Sequence, residues 1–180
     1  MLETPRLRFR DFVLGDFDAV HAYASDPLVT RYTSFGPNTE AETRDFLGRM
    51  AEEASQTPRK NHTFAVIQSS SQRLIGGCGL DLADAAGPQY SLGYCFRATY
   101  WGQGIGIEAV RRVTAFGFSE LNPWRIYAAV LVGNDASARL LQQLGFRLEG
   151  THRQCVFARG AWHDEMIFAL LKPNWCKSGA

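Results

Sequence analysis

The stretch Tyr100–Val110, which reads YWGQGIGIEAV, follows a strand-like apolar segment and continues as a helix-like one. Glycine loses more backbone entropy on folding than any other residue. The alternating Gly102, Gly104 and Gly106 therefore indicate a backbone that needs unusual angles or a close approach to another group. Glycines directly before a helix expose the free amides of its first turn, and such amides attract anions. The stretch predicts either an anion site or close packing of the helix on a sheet.

Three kinds of phosphate site can be compared with this stretch. The Rossmann dinucleotide fingerprint needs a tight turn directly after a strand and an acidic residue about 20 positions later. Here the five residues RATYW separate the strand from the glycines, so this match is weak. A P-loop needs Gly-Lys-Ser/Thr, which does not follow. The favoured interpretation is a pyrophosphate held by successive amides of Gly102–Ile107, without a Rossmann fold.

Outward from the glycines, the middle of the chain alternates between strand and helix. Tyr90–Phe96 reads as a strand, an apolar stripe from Ile107 to Phe116 indicates a helix, and Arg125–Val132 reads as a second strand. A further helix follows Asn134 and is expected to stop at Gly145. A strand–helix–strand connection places its two strands parallel. A parallel pair is therefore expected at the centre of the sheet.

Both ends of the chain are rich in strand patterns. In the first half, a short helix capped by Asp16 should stop at Asp26-Pro27, and Thr39 with Glu42 forms a capping box that opens a longer helix. Strands are expected at LRFRDF (7–12), HTFAVI (62–67), RLIGGCGLDL (73–82) and on both sides of the turn at Arg159-Gly160. The prediction is a single α+β domain over residues 1–180, with a mixed sheet and about four helices.

Composition indicates a folded protein of one domain. The 180 residues are 46% hydrophobic, and their formal net charge is +1. Charge therefore gives no reason to expect nucleic acid or an anionic membrane as a partner. The N-terminus has no apolar signal-peptide core, and the longest apolar run, Ile126–Val132, is too short to span a bilayer. The spacing of the cysteines and histidines matches no zinc site, so we expect no metal, reduced thiols and a cytoplasmic location.

The stretch GYCFRATYWGQGIGIEAV, Gly93–Val110, resembles the coenzyme A motif of the GNAT acetyltransferase superfamily. It is most similar to the subgroup that includes the N-terminal acetyltransferases of ribosomal proteins. Trp101 departs from the Gln/Arg of the superfamily signature but is familiar in this subgroup. The resemblance extends over nearly the whole chain, through ETPRLRFRDF (Glu3–Phe12), GNDASARLLQQLGFRLEGT (Gly133–Thr151) and GAWHDEMIFALL (Gly160–Leu171).

This resemblance implies acetyl-CoA as cosubstrate, bound to a mostly antiparallel sheet with a splayed parallel strand pair. The backbone of Tyr94, Cys95 and Phe96 is then expected to pair with the amide-bearing pantetheine arm, as an added strand would. A backbone amide of the same segment is the implied oxyanion donor. The implied coenzyme contacts are Tyr94, Cys95, Phe96, Gly102, Gln103, Gly104, Ile105, Gly106, Ile107, Asn134 and Ser137.

The usual proton-handling residues are absent from their expected positions. Many superfamily members carry a tyrosine acid seven residues after the asparagine that Asn134 matches, and here that position is Leu141. Relatives often have a glutamate near the start of the coenzyme-binding strand, where this chain has Ser91. Asn134 and Ser91 are the catalytic candidates that this leaves. Their alternative roles are a helix cap for Asn134 and a plain surface residue for Ser91.

The loop Val29–Asn38 is the candidate wall of the acceptor pocket. It carries Tyr32 and Phe35 between two helices, and loops in such places often bind substrates. We therefore expect these two side chains to bind the acceptor. The alternative is a surface connection whose aromatic side chains are tucked into the core.

The function that the resemblance implies is acetyl-CoA-dependent transfer of an acetyl group to a primary amine. A protein N-terminal amine is the first candidate, with polyamines, antibiotics and amino acids as small-molecule alternatives. The missing tyrosine and glutamate suggest a different class, a non-catalytic acyl-CoA-binding regulatory domain. A dinucleotide oxidoreductase is a more distant alternative. Dimers are frequent in the subgroup, so a homodimer is a further expectation.

Overall fold

The computed structural model describes residues 2–84 and 86–177, which form one sheet and the helices packed on it. The single-domain expectation for 1–180 also includes Met1, Ala85 and residues 178–180, which lie outside the described residues. The strands are β1 (Leu2–Glu3), β2 (Leu7–Arg10), β3 (His62–Gln68), β4 (Leu74–Asp84), β5 (Gln89–Phe96), β6 (Arg125–Leu131), β7 (Arg147–Ala158) and β8 (Ala161–Leu171). The α-helices are α1 (Phe17–Ala24), α2 (Pro27–Thr30), α3 (Glu40–Ser55), α4 (Ile105–Phe116), α5 (Asp135–Gln143) and α6 (Lys172–Lys177).

The sheet has the order β1-β2-β3-β4-β5-β6-β8-β7. Within the described residues, adjacent strands of the sheet run antiparallel except for β5 and β6, which are joined through α4 and run parallel. This confirms the predicted mixed, mostly antiparallel sheet with one parallel pair at its centre. The long hairpin of β7 and β8 closes one side of the sheet, and its turn lies at Arg159-Gly160 as expected.

Local chemistry accounts for several helix ends. The Thr39 amide donates to Glu42 Oε2 at 2.7 Å and the Glu42 amide donates to Thr39 Oγ1 at 3.3 Å, which is the predicted capping box of α3. Gly145 has φ +86° just after α5, a conformation that ends a helix and favours glycine. These signals involve residues close in sequence, so they can be recognised without the fold.

The described residues contain more helices than the four or so that were expected, because two short ones were missed. Pro27 follows the end of α1 as expected, but it is also the first residue of α2. Proline suits this position because the backbone amide that it lacks would have no partner within the helix. Asp26 Oδ1 caps α2 by accepting from the Leu28 amide at 2.9 Å. The second addition is α6, which follows β8 at the C-terminal end of the described chain.

Two hydrophobic clusters cover the opposite faces of the sheet. Alternation along β3 shows the division, because Val66 belongs to one cluster whereas Ala65 and Ile67 belong to the other. The larger cluster packs α4 and α5 on the sheet, with fully or almost fully buried Leu7, Ile75, Leu80, Val110, Val113, Ile126, Leu141 and Phe168. The smaller cluster packs α1 and α3 on the other face, with Phe12, Val20, Tyr23, Leu47 and Leu74.

No helix within the described residues is long and apolar enough to cross a membrane.

Candidate functional site

The centre of the site is the place where the two parallel strands separate. Within the described chain, β5 and β6 pair only from Gln89 to Ser91 on β5, opposite Arg125 to Tyr127 on β6. From Leu92 to Phe96, β5 keeps its pairing with β4 but has no register partner in β6. Backbone groups on such an edge can pair with an extended amide chain. Tyr94, Cys95 and Phe96, the residues expected to hold the pantetheine arm, lie on this edge.

The segment 97–104, here called the glycine loop, connects the end of β5 to the start of α4. Gly102 and Gly104 have φ +71° and +74°, which is the left-handed conformation that favours glycine. Gly104 is the residue before the helix, and the Glu108 amide is the one that donates back to its carbonyl, at 3.2 Å. The amides of the first helical turn before Glu108 therefore have no partner within the helix and can receive an anion.

Gly106 has a different role from the other two glycines. It lies inside the first turn of α4, where an added Cβ would be 3.1 Å from Leu140 Cδ1 and close to the Phe96 ring. Glycine at this position lets α4 pack closely on α5 and β5. The packing interpretation thus applies to Gly106, whereas the backbone conformation explains Gly102 and Gly104.

Two side chains within the glycine loop make hydrogen bonds that hold it in place. The Trp101 indole Nε1 donates to the Phe96 carbonyl at 2.9 Å, and Gln103 Nε2 donates to the Thr99 carbonyl at 2.7 Å. The tryptophan that departs from the superfamily signature therefore fixes the loop to the end of β5.

Tyr94 and Ser137 form a contact across the gap between β5 and the start of α5. Their hydroxyl oxygens are 2.7 Å apart, and burial raises the pKa of the Tyr94 phenol, so Tyr94 stays protonated. Asn134 Oδ1 accepts from the Ser137 amide at 3.2 Å, which gives Asn134 its helix-capping role. A coenzyme contact of Asn134 or Ser137 remains a prediction. Sequence reasoning missed the Tyr94 side chain, because its partner is 43 residues away and no local signal marks it.

Ser91 is not part of this group. Its Oγ donates to the Asp81 carbonyl at 3.4 Å, in the region where β5 and β6 are still paired. Ser91 and Tyr94 are three residues apart on one strand, so their side chains point to opposite faces of the sheet. A role for Ser91 as a relay stays a prediction. Asp81 Oδ1 accepts from Thr63 Oγ1 at 3.2 Å. Neighbouring protein atoms exclude water from part of the Asp81 carboxyl, and this desolvation raises its pKa.

The Leu141 side chain is fully buried in the larger cluster and lies on the inner face of α5. It contributes no polar atom to the gap between β5 and β6. Tyr94 on β5 and Ser137 on α5 supply a pair of hydroxyl groups in contact with each other beside that gap.

The loop predicted at Val29–Asn38 is shorter in the structure, because Val29 and Thr30 belong to α2. Its remaining residues, 31–38, lie beside the end of β6 that precedes Gly133. The Tyr32 ring is 3.3 Å from the position that a Cβ on Gly133 would occupy, so Tyr32 stands next to the residue that precedes Asn134. Phe35 is 42% exposed, which disagrees with the alternative that it is tucked into the core. Arg159 Nη1, in the turn between β7 and β8, donates to the carbonyls of Thr30 and Thr33 and fastens this loop to the hairpin.

Two further features lie apart from the gap. Asp164 Oδ1 accepts from the Gln154 amide at 2.8 Å, a contact that supports a bulge in β7 and gives the Asp164 side chain a structural role.

A cleft of about 470 Å³ lies at the opposite ends of β5 and β6, and Arg125, Tyr127 and Ile167 are among the residues that line it. Because the strands are still paired there, we do not assign this cleft to the coenzyme.

Among residues 2–84 and 86–177, no group of three or more His, Cys, Asp or Glu side chains is placed to hold a metal ion.

Comparison with protein families and curated proteins gives a consistent result. The profile of the acetyltransferase (GNAT) domain matches residues 6–147. The chain is 36% identical to an uncharacterized N-acetyltransferase, p20, of Bacillus licheniformis over 175 residues, which are 97% of each chain. It is 31% identical to the ribosomal protein uS5-alanine N-acetyltransferase of Escherichia coli over 84 residues, which are 47% of this chain and 43% of that enzyme.

Solved structures share the whole architecture. An acetyltransferase (GNAT family) from Bacillus anthracis matches 96% of this chain with 98% of its own, at a TM-score of 0.83 and 30% identity. A spermidine N-acetyltransferase from Vibrio cholerae, solved in complex with CoA and spermine, matches 96% of this chain with 99% of its own, at a TM-score of 0.82. Its identity of 20% makes this second likeness one of fold alone.

Proposed function

The chain belongs to the GNAT family of acetyltransferases, and from this premise we propose that it holds acetyl-CoA between β5 and β6 and transfers the acetyl group to a primary amine. The observation that carries the proposal is the free edge of β5, Leu92–Phe96, which leads directly into the glycine loop. One element offers an amide chain a strand partner, and the other offers a diphosphate the free amides of a helix. The two lie in the order in which the pantetheine arm and the pyrophosphate follow each other in CoA.

The residues around the gap can assist the transfer without a dedicated acid on α5. The neutral amine nitrogen bonds to the thioester carbonyl carbon and the carbon–sulfur bond breaks. The proton that the nitrogen loses goes to the departing thiolate, which leaves as the CoA thiol. A backbone amide of Tyr94–Phe96 can donate to the oxyanion that forms. The hydroxyls of Tyr94 and Ser137, held 2.7 Å apart, can donate a hydrogen bond to the departing sulfur. Positioning both substrates at this gap supplies much of the acceleration.

The acceptor that we favour is the N-terminal amine of a protein. The support is the likeness to the Escherichia coli enzyme, whose name gives an alanine of ribosomal protein uS5 as its acceptor. The polyamine alternative rests on a likeness of fold. The non-catalytic alternative loses its support, because the relatives that match the chain are named N-acetyltransferases.

The proposal predicts that acetyl-CoA raises the melting temperature of the protein and that NAD and ATP do not, since a ligand stabilises the state that binds it. Thiol release from acetyl-CoA, followed with a panel of peptides with free N-termini, spermidine and free amino acids, should then identify the acceptor. The same peptides with blocked N-termini are the matched control and should release no thiol. Absence of stabilisation by saturating CoA and acetyl-CoA would contradict the proposed site.

A further inference from the structure

The N-terminal segment reaches the glycine loop through one side chain, that of Arg6. Its Nε and Nη2 each lie 2.5 Å from Glu108 Oε2, and its backbone amide donates to Glu108 Oε1 at 3.2 Å. Its Nη1 donates to the Gln103 carbonyl, inside the loop, at 3.0 Å. Thr4 Oγ1 also donates to Glu108 Oε1, at 2.6 Å. Arg6 thus bridges the loop and the helix that together form the proposed pyrophosphate site.

Glu108 makes this contact significant. Its carboxylate lies in the first turn of α4, where the dipole of the helix favours a negative charge. A bound pyrophosphate would be a second anion at the same helix end, and like charges repel each other. Burial of the Glu108 carboxyl alone would raise its pKa, but the hydrogen bonds from Thr4 and Arg6 outweigh this effect and hold the pKa below its ordinary value. Glu108 is therefore ionised at neutral pH.

Resting on the proposed function, we propose that Arg6 is a positioning residue for the coenzyme: it cancels the charge of Glu108 and fixes the Gln103–Gly104 part of the loop. The Arg6 side chain is 49% exposed, and its Nη2 lies 3.4 Å from the position that a Cβ on Gly104 would occupy. The guanidinium therefore lies against the loop and remains half exposed to solvent. Arg6 acts through Glu108 and the loop, and the reacting atoms lie elsewhere.

The test measures CoA binding by calorimetry for the wild-type chain, Arg6→Gln, Glu108→Gln and the double variant. Arg6→Gln leaves Glu108 uncompensated and should weaken CoA binding about tenfold at low salt. The loss should shrink as salt is added, because salt screens exposed charges. Removing the carboxylate as well should restore affinity to within about threefold of wild type, and Glu108→Gln alone should bind CoA at least as tightly as wild type.

Arg112→Gln is the matched control. Arg112 Nε donates to the Glu3 carbonyl at 3.1 Å, so it tethers the same N-terminal segment, but at a position further along α4 from the glycine loop. Its substitution should leave CoA affinity unchanged. All variants are compared by circular dichroism and melting temperature to confirm that they fold.

Three outcomes would overturn the inference while the proposed function stands. They are wild-type affinity in Arg6→Gln, an equal loss in Arg112→Gln, and a double variant that binds no better than Arg6→Gln. Failure of the wild-type chain to bind CoA would instead overturn the proposed function, and the inference would fall with it.

Discussion

Leu141 occupies the position at which many superfamily members have a tyrosine, and its side chain has no proton to donate. Its side chain has no exposed surface and packs in the larger hydrophobic cluster, so its contribution is to stability. The hydroxyl groups of Tyr94 and Ser137, which contact each other beside β5, come from two elements far apart in sequence.

Replacing Leu141 with alanine should lower the free energy of unfolding by about 2–5 kcal/mol, because the lost side chain leaves a cavity in a packed core. Urea denaturation measures the change. Leu148→Ala on β7 is the matched control, since Leu148 is 50% exposed and its truncation should cost roughly 0.5 kcal/mol or less. A loss below about 1 kcal/mol in Leu141→Ala would show that α5 does not depend on this contact.

At the scale of elements, the helices and strands with local signals could be predicted from the sequence. The capping box of α3, the glycine after α5 and the turn at Arg159-Gly160 are all encoded within a few residues. The start of α2 was misread, because a proline that ends one helix is equally suited to the first position of the next. The separation of β5 and β6 was expected only from family resemblance, because strand periodicity carries no information about where pairing ends.

The loop at residues 31–38, which follows α2, gives the prediction that belongs to this scale. Substituting Tyr32 and Phe35 together by alanine should raise KM for the acceptor about tenfold, or about 1.4 kcal/mol, and leave the Kd of CoA unchanged. The reason is that Tyr32 lies against Gly133, just after β6, whereas the glycine loop lies at the start of α4. Steady-state kinetics with a confirmed acceptor and CoA calorimetry measure the two quantities.

Trp124→Ala is the control for this experiment. Trp124 is an exposed aromatic residue that precedes β6, at the end of the strand opposite to Gly133. Its removal should change neither quantity. A change in CoA affinity alone in the double variant would show that the loop serves the coenzyme and that its assignment to the acceptor is wrong.

For the whole molecule, the order of strand and helix patterns predicted a mixed sheet with one parallel pair but left open which helix covers which face. That assignment depends on contacts between distant segments, such as Arg6 with Glu108 or Tyr94 with Ser137, and neither pair has a sequence signal. Asp16, the predicted cap of α1, makes no side-chain hydrogen bond to that helix and instead pairs with Arg10 of β2. Arg10 Nη1 and Nη2 donate to the two Asp16 oxygens at 2.7 Å each, and Asp16 is 7% exposed.

This ion pair predicts how the stability of the whole fold depends on pH. Burial of the Asp16 carboxyl would raise its pKa, but the hydrogen bonds from Arg10 and from the Val13 amide outweigh burial and lower it. A carboxyl with a lowered folded-state pKa stabilises the fold above its unfolded value of about 3.9, and this stabilisation is lost as pH falls through the lower folded value. Asp16→Asn should therefore cost about 1–3 kcal/mol at neutral pH and flatten the decline of stability in acid, measured by urea denaturation between about pH 7 and 3. Asp18→Asn is the control, because Asp18 is exposed, and it should keep the wild-type dependence of unfolding free energy on pH. An acid decline that is equally steep in Asp16→Asn and wild type would mean that other carboxylates govern acid unfolding.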